Sequence, residues 1–213
     1  MTMISKKSQA IIEYFDQILP DAKCELLYNK DYELVIAVML SAQTTDKAVN
    51  KITPKLFSTY KTLDELNNAS IEDIMEQIKS IGLYKNKAIN LKGIVKMLIE
   101  DFNSIVPKNK NDLLKLPGVG VKTANVVRVE LFKESEFPVD THVERLSKRL
   151  GYASLNDDVS VVEKKMKRKF PKDKHIKLHH QFIHFGRYYC TAKNPKCKDC
   201  PLSKYCTYIK KKN

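Results

Sequence analysis

Four cysteines crowd the end of the chain with the spacing Cys190-x6-Cys197-x2-Cys200-x5-Cys206. The segment Met1 to Leu19 interleaves charged and apolar residues and lacks the continuous apolar stretch of a secretion signal, so disulfides are not the expected fate of these thiols. Thiolates this dense are expected to hold one inorganic centre. Zinc-finger patterns present two well-separated ligand pairs, whereas this spacing makes one compact loop with four converging sulfurs, which suits a [4Fe–4S] cube. A zinc site and unligated thiols are the alternatives. Cys24 stands alone and is expected to be a buried small hydrophobe.

A second feature lies at Leu116-Pro117-Gly118-Val119-Gly120. Two glycines one residue apart allow a turn with little side-chain obstruction. The helix expected to follow presents unbonded backbone N–H groups and its positive dipole end. Together, Gly118, Val119 and Gly120 are therefore a candidate phosphate-binding turn, blind to base sequence. Taken alone, such a turn is more often a plain helix–helix connection.

Charge says where a polyanion would be met. The 213-residue chain carries a formal net charge of +13. From Lys164 to Asn213 sixteen Lys or Arg face two Asp, a balance of +14, so the rest of the chain is nearly neutral. Composition drift toward lysine would not confine the excess to one quarter of the sequence. A one-sided basic field is the footprint of nucleic acid. Lys193, Lys196 and Lys198, on the cysteine loop, are the candidate phosphate contacts. Arg187-Tyr188-Tyr189 and Lys204-Tyr205 interleave bases with aromatics but carry less weight. The longest apolar run, Val35 to Leu40, is far too short to span a bilayer, so no membrane partner is expected. A cytoplasmic location is expected, or a nuclear or organellar one in a eukaryote.

These residues must be positioned by helices. Hydrophobic residues make up 43% of the chain, enough for a packed interior. Ile11, Ile12, Phe15, Ile18 and Leu19 share one helical face, and Leu34 to Gln43 reads as a buried helix. Asp46 is the expected cap of a helix to about Tyr60, and Ser70 opens the next. Further helices are expected over Lys87 to Phe102, Asn111 to Leu116, Val121 to Phe132, Thr141 to Leu150, Val159 to Phe170 and Lys174 to Tyr189. Alternating strand patterns and internal repeats are lacking, so an all-α fold is expected. His180 and His184 lie four apart on one helix; with four cysteines already a complete ligand set, packing or capping roles are expected for both.

The stretch Leu113 to Val127, followed by Val139-Asp140-Thr141-His142-Val143, resembles the helix-hairpin-helix DNA glycosylase superfamily. With the cysteine spacing, the resemblance is to its endonuclease III family. It extends through Leu40 to Asp46, Gly82-Leu83-Tyr84 and His184 to Tyr188, and so covers nearly the whole chain. Two features depart from the family pattern. Val121 stands where many members carry Arg, and Lys133-Glu134-Ser135-Glu136 is acidic and lacks glycine.

The resemblance implies a two-lobed helix-hairpin-helix fold, with residues 24–134 in one lobe and 1–23 with 135–213 in a cluster lobe, the substrate lying between them. It implies a bifunctional glycosylase and lyase that removes oxidised pyrimidines from duplex DNA and cleaves the abasic site. A monomer acting on double-stranded DNA with damaged bases or abasic sites is expected. Lys122 is implied as the nucleophile and Asp140 as its acidic partner. The chemistry agrees: an amine can attack an anomeric carbon and hold the sugar as a Schiff base, and a carboxylate can stabilise a cationic sugar. An isolated Lys is usually a solvated charge, and an Asp before a helix is usually its cap. Here Thr141 with Glu144 is expected to make the capping box and leave the Asp140 carboxylate free. Gln43 and Leu83 are implied as the wedge residues that fill the gap left by an extruded nucleotide. Two other functions compete: a mismatch glycosylase of the same fold, and a non-catalytic iron–sulfur module that binds DNA and senses oxidants.

Overall fold

The computed structural model describes residues 4–210, and these are all-helical, with no strand among them. The chain divides into two compact units: Glu25–Phe132, and Met1–Cys24 with Lys133–Asn213.

The central unit, Glu25–Phe132, is built on α2 (Asp31–Leu40), whose residues from Glu33 to Leu40 are all buried. A helix apolar on every side must lie inside its unit. Around it stand α3 (Asp46–Thr59), α6 (Tyr84–Phe102) and α8 (Val121–Phe132), while α4 (Leu63–Asn68) and α5 (Ile71–Ile78) pack on α6. Starts are set by hydroxyl caps: the Thr45, Thr62 and Ser70 side chains accept from the backbone N–H of Ala48, Glu65 and Asp73. Thr45, not Asp46, thus caps α3. The helix α4 is not foreseen by periodicity, because six residues give less than two turns of pattern. A third difference is α7 (Lys110–Leu113), which is shorter than expected; the chain from Leu114 to Val119 continues as successive turns.

The second unit joins α1 (Lys6–Ile18) to α9 (Thr141–Arg149), α10 (Val159–Lys169), α11 (His175–Tyr188) and α12 (Thr207–Lys210). Its core is a cluster of phenylalanines. Phe15 lies 5.2 Å from Phe182, ring centroid to centroid, and Phe137 lies 5.9 Å from Phe182, both edge to face. Val143 and Leu146 of α9 join this core, as do Leu150 just past its end and Leu202 from the cysteine loop. Leu202 is buried and anchors a loop otherwise poor in large apolar residues. His184 Nε2 donates to the Lys23 carbonyl at 3.1 Å, and His180 is buried. Cys24 is half-buried rather than buried.

Candidate active site and cysteine loop

The turn expected to meet phosphate is supported from below by α6. Gly118 adopts φ +73°, where an L side chain is strained, and a Cβ there would lie 2.6 Å from Asn90 Nδ2. A Cβ on Gly93 would lie 2.8 Å from Pro117 Cγ, so the bare α6 backbone is what seats Pro117. Val119 is buried and fixes the turn, whereas a Cβ on Gly120 would meet nothing within 4 Å. The turn is thus rigid underneath and open above, with Ala124 N–H bonded to the Gly120 carbonyl at 2.9 Å as α8 begins. Lys122 is exposed in the first turn of α8, beside the exposed Val121. The side chains that follow, Thr123, Ala124 and Asn125, are buried and hold the helix in place.

Asp140 lies in the other unit and is itself the N-cap of α9. Its Oδ1 accepts from the backbone N–H of His142 at 2.9 Å and of Val143 at 2.8 Å. The expected Thr141–Glu144 capping box does not form. Glu144 instead pairs with Lys148 at 2.6 Å, one turn further along. The carboxylate is not idle, however. Both cap bonds fall on one oxygen, and Oδ2 keeps its lone pairs without a hydrogen-bond partner among the described residues. The cap therefore aims the group while leaving half of it available. His142 is half-buried beside Asp140, Arg145 and Arg187; burial lowers its basicity, against the opposing pull of Asp140. The acidic segment before Asp140 is ordered without glycine. Lys133 takes φ +53°, the Ser135 hydroxyl donates to the Lys172 carbonyl at 2.7 Å, and the buried Glu136 pairs with Lys167.

The two wedge candidates share an uncommon backbone state. Gln43 has φ +55° and Leu83 φ +59°, left-handed conformations that cost a bulky residue roughly 1–3 kcal/mol. Leu83 is 57% exposed, and Gln43 is exposed too. Sequence reasoning misses this strain because no glycine marks either position.

The four cysteines form no disulfide and line one pocket, together with Arg149, Tyr189 and Leu202. No three His, Cys, Asp or Glu among the described residues are grouped to hold a single metal ion. Four sulfurs lining one shared pocket are the donor set that a thiolate-held iron–sulfur cluster requires. Burial pushes the Cys190 and Cys200 thiols up. Cationic groups balance the charge a thiolate-ligated cluster would bring. Arg149 Nη1 donates to Cys190 Sγ at 3.2 Å and to the Thr191 carbonyl at 2.7 Å, and its guanidinium lies 4.2 Å over the Tyr208 ring. Arg145 Nη2 donates to the carbonyls of Gly186 (2.8 Å) and Cys190 (3.1 Å). Neither arginine stands out in the sequence, where both read as the solvated face of α9. Lys193, Lys196 and Lys198 are exposed on the loop, with Lys196 Nζ 5.2 Å above the Tyr189 ring.

Residues 36–172 match the model of the HhH-GPD superfamily of base excision DNA repair proteins, and residues 190–206 that of the iron-sulfur binding domain of endonuclease III. The chain is 46% identical to endonuclease III of Bacillus subtilis (strain 168), over 94% of this chain and 92% of that one. Its fold is similar to that of a trapped endonuclease III–DNA covalent intermediate, with TM-score 0.92 and 45% identity over 99% of each chain. A non-covalent endonuclease III–DNA complex superposes with TM-score 0.93 at 44% identity, also over 99% of each chain. With the cysteine loop, the hairpin before Lys122 and the capped Asp140 in place, the chain belongs to the endonuclease III family of helix-hairpin-helix base excision repair glycosylases, whose members carry a [4Fe–4S] cluster.

Proposed function

We propose that this protein excises oxidised pyrimidines from duplex DNA and then cleaves the abasic site by β-elimination. The observation that carries the assignment is Lys122, an exposed amine in the first turn of α8, directly after a turn open to phosphate. The turn binds the backbone and so brings the sugar within reach of the amine. Lys122 Nζ, as the free amine, attacks C1′; the glycosidic bond breaks and the base leaves with a proton. The ring-opened imine that results makes the C2′ proton acidic. Loss of that proton expels the 3′ phosphate, and water then releases Lys122. Asp140 Oδ2 stabilises the positive charge that develops on the sugar and carries protons, while Oδ1 stays engaged in the cap. Gln43 and Leu83 occupy the space of the extruded nucleotide, an opening that costs a few kcal/mol. Cys190, Cys197, Cys200 and Cys206 would hold the cluster, whose part here is to fix the loop bearing Lys193, Lys196 and Lys198 against phosphate. The protein works as a monomer in the cytoplasm, at the nucleoid.

Duplexes bearing thymine glycol, uracil, an A·G mismatch or an abasic site test the substrate assignment. Excision confined to thymine glycol, with strand cleavage there and at the abasic site, is expected. Excision of adenine from the A·G duplex in preference would replace this reading with a mismatch glycosylase. Binding without any excision would leave only the non-catalytic module.

A further inference from the structure

Lys87 is a buried lysine that no part of the site described so far accounts for. It is 4% exposed, in the first turn of α6, and burial pulls the amine down from its usual range. An ammonium offers three donors. Here Nζ donates to one acceptor among the described residues, Thr44 Oγ1, at 2.6 Å. A buried charge with one hydrogen bond is a poor stabiliser, and an apolar residue of equal length would serve the core better.

The surroundings suggest why a lysine stands there. Its backbone N–H bonds to the Leu83 carbonyl at 3.0 Å, closing the first turn of α6 on Leu83. Its side chain reaches Thr44, whose backbone N–H bonds to the Ser41 carbonyl at 3.0 Å, closing the turn that carries Gln43. One residue therefore ties together two loops forty positions apart in sequence, each holding an exposed side chain at positive φ. Left-handed conformations persist in bulky residues only where the surroundings over-determine them.

We infer that Lys87 is a positioning residue that pins the Gln43 loop to the Leu83 loop through Thr44, and so sets the two wedges in register for extrusion of the target nucleotide. The inference rests on the reading of Gln43 and Leu83 as wedges. It separates two reactions of the same active site. Excision of a base-bearing lesion requires unstacking, whereas a preformed abasic nucleotide has no base to unstack. Loss of the pin must slow the first far more than the second.

The test is single-turnover kinetics at saturating cluster-loaded protein, on a thymine-glycol duplex and on an abasic duplex. Thermal midpoints and the fluorescence of a 2-aminopurine beside the lesion are recorded in parallel. Lys87→Met is expected to slow excision at least about tenfold and abasic cleavage no more than about threefold, with reduced 2-aminopurine signal and an undiminished thermal midpoint. Thr44→Val, which loses only the acceptor, is expected to show the same split in smaller degree, and the double variant to be no slower than Lys87→Met. Equal slowing of both reactions with a lower midpoint would mean that Lys87 only supports the fold, and would overturn the inference. Additive losses in the double variant would overturn it too. If Lys87→Met fails to fold, Thr44→Val decides alone. Gln43→Ala and Leu83→Ala run alongside: if they slow excision and the Lys87 and Thr44 variants do not, the pin is wrong and the wedges stand. If neither wedge variant slows excision, the wedge reading fails and the pin with it.

Discussion

Gly118→Ala is the sharpest structural perturbation of the phosphate turn, and its size follows from two distances and one angle. The backbone at φ +73° costs an alanine about 1–2 kcal/mol. The added Cβ would lie 2.6 Å from Asn90 Nδ2, 2.9 Å from Asn90 Cγ and 3.2 Å from Asn90 Cβ, so the asparagine must rotate away. Overpacking of this kind adds about 1 kcal/mol when the neighbour can move. The total of about 2–3 kcal/mol should lower the thermal midpoint by roughly 5–10 °C in a chain of this size. Adding Asn90→Ala removes the two closest atoms and should return about 1 kcal/mol, leaving the backbone cost. Gly120→Ala is the control, since its Cβ meets nothing within 4 Å. It should cost less than about 1 kcal/mol of stability yet weaken DNA binding, because the open space is where phosphate must approach. Circular dichroism melts of the cluster-loaded protein and fluorescence anisotropy with labelled duplex measure both. A Gly118→Ala midpoint equal to wild type, or Gly120→Ala as damaging to stability as Gly118→Ala, would refute the account of the turn.

Three further outcomes are expected. The purified protein should be brown with about four iron per chain, and Cys197→Ala should give poor soluble yield because Leu202 is the loop's main apolar anchor; a colourless protein with stoichiometric zinc would contradict this. Replacing Lys193, Lys196 and Lys198 together by Ala should weaken binding to damaged and undamaged duplex alike and flatten the salt dependence by up to about three, leaving saturated single-turnover rates nearly unchanged. Because burial lowers the His142 pKa, the folded state binds fewer protons than the unfolded state. Stability from this group is therefore full above an unfolded pKa of about 6.5 and is lost as pH falls below it toward the folded value. His142→Gln should flatten that part of a pH–stability profile measured by urea midpoint.

Much of this was legible in the residue order, because the signals are local. Ser70 caps its helix as its spacing requires, and the phenylalanine and isoleucine face of α1 is the face it buries. The cysteine spacing gave the loop, and two close glycines gave the hairpin turn. What was hidden depends on contacts distant in sequence. Lys87 reads as one more lysine in a lysine-rich chain, and only the packing of α6 against the Gln43 turn shows it buried. Arg149 reads as a surface charge on α9 until the cysteine loop folds over it. Asp140 stands before a helix, as its position implies, but it caps that helix itself instead of being released by Thr141 and Glu144. Glu144 had a nearer partner in Lys148, so the cap fell to Asp140, and the split between its two oxygens is a matter of geometry that spacing cannot give.

The proposed reaction requires that Lys122 become covalently bound to the sugar. Incubating the protein with a thymine-glycol duplex in borohydride reduces any imine to a stable amine, and peptide mapping of the adduct locates the modified residue. An adduct on Lys122 alone is expected, and for Lys122→Ala neither adduct nor base release, with DNA affinity within a few-fold of wild type. An adduct on another amine, or undiminished excision and strand cleavage by Lys122→Ala, would contradict it.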